Sequence, residues 1–410
     1  MRLWLKHHSG GVEPEGTPSY LSQSTAKASV LLVGAYERDN FGDLLFYQLT
    51  KDYLEGSYLA AGSVIGADMR PLLGTRVYPH SDLLAARAWD LVWVVGGEIG
   101  GVDTEGALAM SLTEADGSIF DQSGKRGKGV IAEFLSGASA QSPAYFPPVA
   151  NFPLNTHTPV VMNSIGLSNL FETEPGSEHG DAAHAAIRNA AAVVVRDTAS
   201  QRFAASIGKT ATLSPDMVHA ISLRHPEIAQ RRLNAEPYFV FQANAHLIQL
   251  HGAEAIARSI ARVARATNLR PAFFLAGTAR HHDRSDQYDE VKSVLAVIAP
   301  EIPTVGITTR DPMLLASYIA RSRMWIGSSL HGRIIAGSFG LPRVSLENRK
   351  VSKYAATWDP AFPMDVSFDD LPEAVVEAFT SSRLPRNAQD SRDCANAADQ
   401  QTQALVETFR

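Results

Sequence analysis

The chain has 410 residues, 45% of them hydrophobic and 20% charged, with 37 Lys and Arg against 43 Asp and Glu for a net charge of −6. That balance excludes a disordered chain and disfavours large-scale binding to nucleic acid or an anionic membrane, while leaving room for a local basic pocket. A single cysteine, Cys394, excludes an intramolecular disulfide framework and a multi-cysteine zinc site, and it fits a reducing, cytoplasmic setting.

Residues 1–28 form a polar N-terminal segment without the apolar core of a signal peptide, and no later run has the roughly 18 apolar residues that span a bilayer. Ser29-Val-Leu-Leu-Val-Gly34 predicts a buried strand, followed by a polar loop and a helix over 44–54. Leu91-Val-Trp-Val-Val95, Val160-Val-Met-Asn-Ser-Ile165 and Ala192-Val-Val-Val195 repeat the theme, each ending at glycine or a polar residue. Continuous apolar runs are what parallel strands covered on both faces require. Helices over 181–191 and 198–207 complete an α/β N-terminal domain, 29–222. Its rhythm is broken at about 106–159 by a Gly-, Ser-, Ala- and Pro-rich excursion at the mouth of the sheet.

Residues 223–237 read as a linker. Strands at 238–241, 272–275, 304–307 and 324–327 then alternate with helices over 253–266, 288–298 and 312–321, giving a second domain, 238–380. Residues 381–410 are a polar tail or a closing helix. The fold class is α/β, with two Rossmann-like doubly wound domains facing a cleft.

Four places carry candidate chemistry. In Gly34-Ala-Tyr-Glu-Arg-Asp-Asn-Phe-Gly-Asp43, Asn40 or Asp43 can cap the following helix, whose N-terminus offers N–H groups to an anion or a sugar hydroxyl; a plain capped turn is the other reading. Ser328-Ser-Leu-His-Gly-Arg333 converges two hydroxyls, N–H groups, an imidazole and a guanidinium at a strand's C-terminal end, a set suited to phosphate or carboxylate. Arg196-Asp197 places an arginine at a strand end before a capping aspartate, and Asp216 nearby reads as a turn residue rather than a hydroxyl-binding carboxylate. His281-His282-Asp283 reads as a solvated loop, since adjacent histidines diverge and no third metal ligand is placed. His246 and His251 stay ambiguous, and Gln242 and Asn244 would face the cleft.

Asn40-Phe-Gly-Asp43, Gly96-Gly97, Ser164-Ile-Gly166, Arg196-Asp197, Pro215-Asp216 and Ser-x-x-His-Gly at 328–332 lie in an order that resembles the polysaccharide pyruvyl transferase family, over roughly 30–350. The resemblance implies a GT-B-like fold and transfer of a pyruvyl group from phosphoenolpyruvate, the donor substrate, to two hydroxyls of a sugar in a polysaccharide or glycan precursor. A cyclic ketal forms and phosphate is released, with no cofactor and no metal. It implies His331 and Arg196 as catalytic residues. Ser328, Ser329, Gly332, Arg333, Asn163 and Ser164 would bind the donor, and Asn40, Asp43, Asp216 and Glu98 the acceptor. Its partners would be phosphoenolpyruvate and a sugar or glycan, with no nucleic acid, no transmembrane segment and room for peripheral association with a membrane-bound glycan assembly. Two positions depart from the family pattern: Glu98 stands where a small residue is usual, and no arginine precedes His331. A GT-B glycosyltransferase using a nucleotide sugar and a non-catalytic sugar- or anion-binding protein on a decayed transferase fold are the alternatives.

Overall fold

A computed structural model describes residues 28–409, apart from 175, 231–235 and 381–383; the N-terminal segment read from the sequence lies almost wholly outside the described residues. The first sheet has eight strands: β1 Ser29–Val33, β2 Tyr58–Ser63, β3 Ala67–Asp68, β4 Arg76–Pro79, β5 Leu91–Val95, β6 Val160–Ile165, β7 Ala192–Val195 and β8 Thr212–Leu213. Their order is β3-β4-β2-β1-β5-β6-β7-β8, and only β3 runs antiparallel to its neighbour. The second sheet is parallel, in the order β10-β9-β11-β12, formed by β9 Tyr238–Gln242, β10 Arg270–Phe273, β11 Met324–Gly327 and β12 Arg343–Ser345. β1, β5, β9 and β11 are buried along their whole length, as their unbroken apolar runs require.

Both sheets reverse winding direction in the middle. The chain leaves β1 towards β2 on one side and returns to β5 on the other; it does the same from β9 to β10 and back to β11. The loops after these four strands therefore splay apart at two topological switch points, the places where open α/β sheets admit ligands. The halves face each other there and are joined by contacts near the opening. The Phe41 N–H donates to the Ala276 carbonyl at 2.8 Å, and Arg310 pairs with Asp39 through Nε at 2.8 Å and Nη2 at 2.9 Å. Beneath them Phe41, Phe274 and Trp325 stack edge to face, so the cleft floor is apolar and continuous across both halves.

Several elements differ from expectation. The first helix starts earlier, at Phe41–Tyr53, because Asn40 caps it by accepting from the Gly42 N–H. The expected strand at 304–307 reduces to one bridge between Val305 and Ala272. The 106–159 excursion carries three α-helices, Thr104–Ser111, Glu114–Gln122 and Gly124–Ser136, each with glycine or serine within it. Arg280 ties them to the second half through Asp121 at 2.6 Å.

The terminal segment closes across both halves as the helix Leu384–Phe409, with Asn387 bonded to Arg343 and the Gly340 carbonyl of the second half. Ser391, Ala395, Ala398, Thr402 and Leu405 are buried at alternating spacings of four and three, a narrow seam that lets the helix lie close. Along it Thr402 Oγ1 accepts from Asn163 Nδ2 at 3.3 Å, and Asp399 accepts from the Tyr53 hydroxyl and Arg224 Nε, both at 2.7 Å. Among the described residues no helix is long and apolar enough to cross a membrane.

Candidate functional site

A cavity of about 610 Å³ opens between the halves, lined by the loops at the switch points. That volume falls in the usual range for small-molecule sites. His331 enters it from the second half, in the first turn of the helix Leu330–Ser338, which Ser329 caps by accepting from the Gly332 N–H at 3.4 Å. Only 5% of His331 is exposed. Its ring packs edge-on against Phe46, with centroids 4.9 Å apart, and Nε2 lies 3.9 Å from Asp216 Oδ2 without a hydrogen-bond partner. Burial, reinforced by the cations Arg196 and Lys350, pushes its pKa well below the usual value, so the imidazole is neutral at pH 7.

The Asn40-Phe-Gly-Asp43 turn now has a physical reason at each position. Asn40 caps the helix, Asp43 faces the cavity, and Gly42 makes room for the imidazole: a Cβ there would lie 1.9 Å from His331 Nδ1. In an unobstructed helix Gly→Ala is worth about 1 kcal/mol of stability. Here Gly42→Ala is expected to act the other way, lowering stability by about 1–3 kcal/mol through overpacking and displacing His331. Thermal denaturation checks the sign, and a stabilised variant would contradict the close approach.

Arg196 sits at the end of β7, 1% exposed, between Asp216 Oδ2 at 3.3 Å and Glu98 Oε2 at 3.4 Å. Burial works against its charge, but Asp216, Glu98 and Asp197 more than offset that and hold its pKa above the ordinary value. Asp197 caps the next helix, accepting from the Ser200 N–H at 2.7 Å, as the sequence predicts. Asp216 caps the turn Met217–Ala220, in line with its reading as a turn residue, and it is also fully buried beside Arg196 and His331. Glu98 lines the cavity but pairs with Arg196, so its carboxylate lies with the cations. Gly166 permits this, because a Cβ there would come within 2.2 Å of Glu98 Oε2.

Other candidates are placed differently. The Arg333 guanidinium points away from the cavity into Asp359, Ser345 and the Pro363 carbonyl at 2.8–2.9 Å, with further bonds to the Asp359 and Phe362 carbonyls. Two positions beyond His331 on a helix is about 200° round, hence the opposite face. Asn163 and Ser164 lie behind the cleft: Asn163 bonds the closing helix, while Ser164, at φ 57°, accepts from the Met217 N–H at 2.9 Å and so fixes the turn carrying Asp216. The Ser328 hydroxyl is engaged by Gln242 and Asn244, and Gly332 lets its helix approach Trp325, whose ring a Cβ would meet at 2.0 Å. Only His281 of the 281–283 loop is exposed. His282 lines the cavity with its pKa pushed down to about 4 by burial, and Asp283 is buried with its pKa pushed up to about 7 by the same cause.

Two further cations were not picked out from the sequence. Lys350, in the first turn of the helix Arg349–Trp358, lines the cavity while keeping exposed surface, and partial desolvation in the cleft together with Arg196 lowers its pKa. The signal was present: Arg349-Lys350 directly after the cap Asn348 puts cations where the helix dipole favours anions. Arg38 is held over the cavity by Glu37 and by the Tyr145 hydroxyl at 2.6 Å, with Nη2 at 3.8 Å from Asp43. The Asp43 pKa is raised by burial against the pull of Arg38 and Lys350. The cavity is thus lined by the cations Lys350 and Arg38 together with His331 and Asp43, and Arg196 lies buried behind it, paired with Glu98 and Asp216.

No curated protein matches the chain. Among solved structures, the UDP-GlcNAc 2-epimerase of Neisseria meningitidis bound to UDP-GlcNAc is 12% identical, with 92% of this chain and 99% of that one covered at a TM-score of 0.52. MnaA of S. aureus with UDP is likewise 12% identical, covering 91% and 94%, at a TM-score of 0.55. A putative UDP-N-acetylglucosamine 2-epimerase of Listeria monocytogenes is 9% identical, covering 94% and 97%, at 0.54. At such identities the likeness establishes the fold, which is GT-B. A family model of polysaccharide pyruvyl transferases matches residues 40–350, spanning the Asn40-to-Asp43 turn, Arg196, His331 and Lys350, and the chain belongs to that family.

Proposed function

We propose that this protein moves the pyruvyl group of phosphoenolpyruvate onto two hydroxyls of a sugar, forming a cyclic ketal and releasing phosphate. The observation that carries the reading is the buried, neutral His331 flanked by Arg196 and Lys350 at a helix N-terminus. Phosphoenolpyruvate carries a phosphate and a carboxylate, and Lys350 and Arg38 at the cavity, with Arg196 behind them, would offset both charges without a metal. The donor's charge offsets the two cations and restores the basicity of His331, which then protonates the methylene carbon and makes C2 electrophilic. One sugar hydroxyl adds to C2 as Asp43 takes its proton, phosphate leaves carrying that proton from Asp43, and the second hydroxyl closes the ketal, its proton returning to His331. Asp216 keeps Arg196 and His331 in register. This reading sets the protein in the cytoplasm, with its product destined for exopolysaccharide or a glycan precursor.

Thermal shift with phosphoenolpyruvate beside UDP, GDP and their sugars tests the donor. A ligand at 100 times its Kd stabilises the fold by about 2.7 kcal/mol. Phosphoenolpyruvate is expected to raise the Tm, and phosphate to appear only when an acceptor glycan is added, together with a new ketal methyl signal by NMR. A Tm raised by a nucleotide sugar and not by phosphoenolpyruvate would instead support glycosyl transfer.

A further inference from the structure

The 281–283 loop, read from the sequence as solvated, holds a buried carboxylate that no step above uses. Both Asp283 oxygens accept from Gln242 Nε2, at 3.0 and 3.1 Å, and Oδ2 also accepts from the Ala276 N–H at 2.6 Å. An ionised carboxylate only accepts, so it fixes which way the Gln242 amide faces. Gln242 Oε1 is thereby turned towards Ser328, accepting from its N–H at 3.0 Å and its hydroxyl at 3.2 Å. The Ser328 hydroxyl in turn accepts from the Asn244 N–H at 3.1 Å, and its carbonyl accepts from Asn348 Nδ2 at 2.8 Å. Ser328 immediately precedes the Ser329 cap of the helix that bears His331, and Asn348 caps the helix that bears Lys350.

We propose that Asp283 and Gln242 are positioning residues, a carboxylate-to-amide relay that sets the pose of the Ser328–Ser329 turn and, through it and Asn348, of His331 and Lys350 around the donor. The relay joins the loop after β10 to the loops after β9 and β11, so it spans the switch point of the second sheet. Its relevance to catalysis rests on the phosphoenolpyruvate reading; its effect on the turn does not.

Asp283→Asn leaves one accepting oxygen for two donors and sets its own amide against the other. Gln242→Met removes the acceptor for Ser328, whose N–H keeps only the Gln242 backbone carbonyl at 3.3 Å. In ligand-free protein, hydrogen exchange at Ser328 and Asn244 is expected to be about tenfold faster in either variant, with the β1 amides unchanged, and the double variant is expected to be no worse than the singles. Phosphoenolpyruvate affinity is expected to fall about tenfold by titration calorimetry.

The wild type should also show a pH response that a purely structural bond would not give. The charged and titratable groups facing Asp283 are Arg310, Asp39 and Tyr288, with His282 adjacent. His282 titrates at about 4 and Tyr288 well above its usual value, so between pH 6 and 8 Asp283 is the member that changes charge. Protection of Ser328, corrected for intrinsic exchange, is expected to rise through about pH 7 in the wild type and to be flat in Asp283→Asn. Unchanged exchange in both variants, or loss of protection spread equally over β1, overturns the relay. If exchange behaves as stated while phosphoenolpyruvate fails to bind even the wild type, the donor reading fails and the relay stands.

Discussion

Arg196→Met is expected to abolish turnover and to cost the fold about 3 kcal/mol, the two effects sharing one electrostatic cause. Arg196 is enclosed between Asp216, which has no exposed surface, and Glu98. Deleting one partner of a buried ion pair costs about 3–5 kcal/mol, because the other charge is left desolvated. Lys350 faces the same carboxylates and keeps the loss near the lower figure. The Asp216 pKa, already raised by burial, loses the pull of Arg196 and rises further. A carboxyl whose folded pKa is raised is at its most stabilising below its unfolded value near 4, and that contribution is lost as pH increases through the folded value. Urea denaturation of Arg196→Met should therefore show stability declining towards neutral pH more steeply than in the wild type. Adding Asp216→Asn should recover most of the stability and none of the turnover. Wild-type turnover in Arg196→Met would remove the arginine from the mechanism.

The parts of this arrangement that sequence reading finds are those where chemistry and periodicity coincide. β1, β5, β7, β9 and β11 are mostly apolar runs rich in branched or aromatic residues, and Arg196 stands directly after β7 while His331 follows β11 by four residues. β2 and β4 lie towards one edge of the sheet, where Tyr58-Leu-Ala-Ala-Gly-Ser63 and Arg76-Val-Tyr-Pro79 need bury only part of their surface and carry no such run. The closing helix stands in the sequence only as one of two readings for a related reason, since a seam of Ala, Ser and Thr has the right spacing but little hydrophobic signal. Arg333 was drawn into the donor set by proximity in sequence, although helical geometry sends it to the far face from His331. Lys350 and Asp283 depend on folding to enter the site: one lies on a helix after β12, the other in a loop whose carboxylate is buried only when β9 and β11 bring Gln242 against it.

His331→Gln is expected to lower turnover by about 10²–10⁴-fold, the span of general acid–base catalysis, while leaving phosphoenolpyruvate bound. The pH behaviour separates this role from a packing role. The His331 pKa in the folded protein lies below the ordinary value of about 6.5, so the unfolded chain binds the proton more readily. Its contribution to stability is present above pH 6.5 and is lost as pH falls towards the folded value. His219, held down to about 4 by burial, adds a second loss of the same sign, so His331→Gln should reduce the acid decline without removing it. Donor binding reverses the balance at His331, because anionic groups set against Arg196 and Lys350 cancel the two charges that oppose its protonation. Binding near pH 7.5 should then take up a fraction of a proton, up to about one. Titration calorimetry in buffers of different ionisation enthalpy reads that fraction as a slope, and part of it belongs to the donor's own phosphate. The difference between wild type and His331→Gln belongs to the imidazole. Equal slopes would mean that the donor does not charge His331, and the proton for the methylene carbon would then have to come from elsewhere in the cleft.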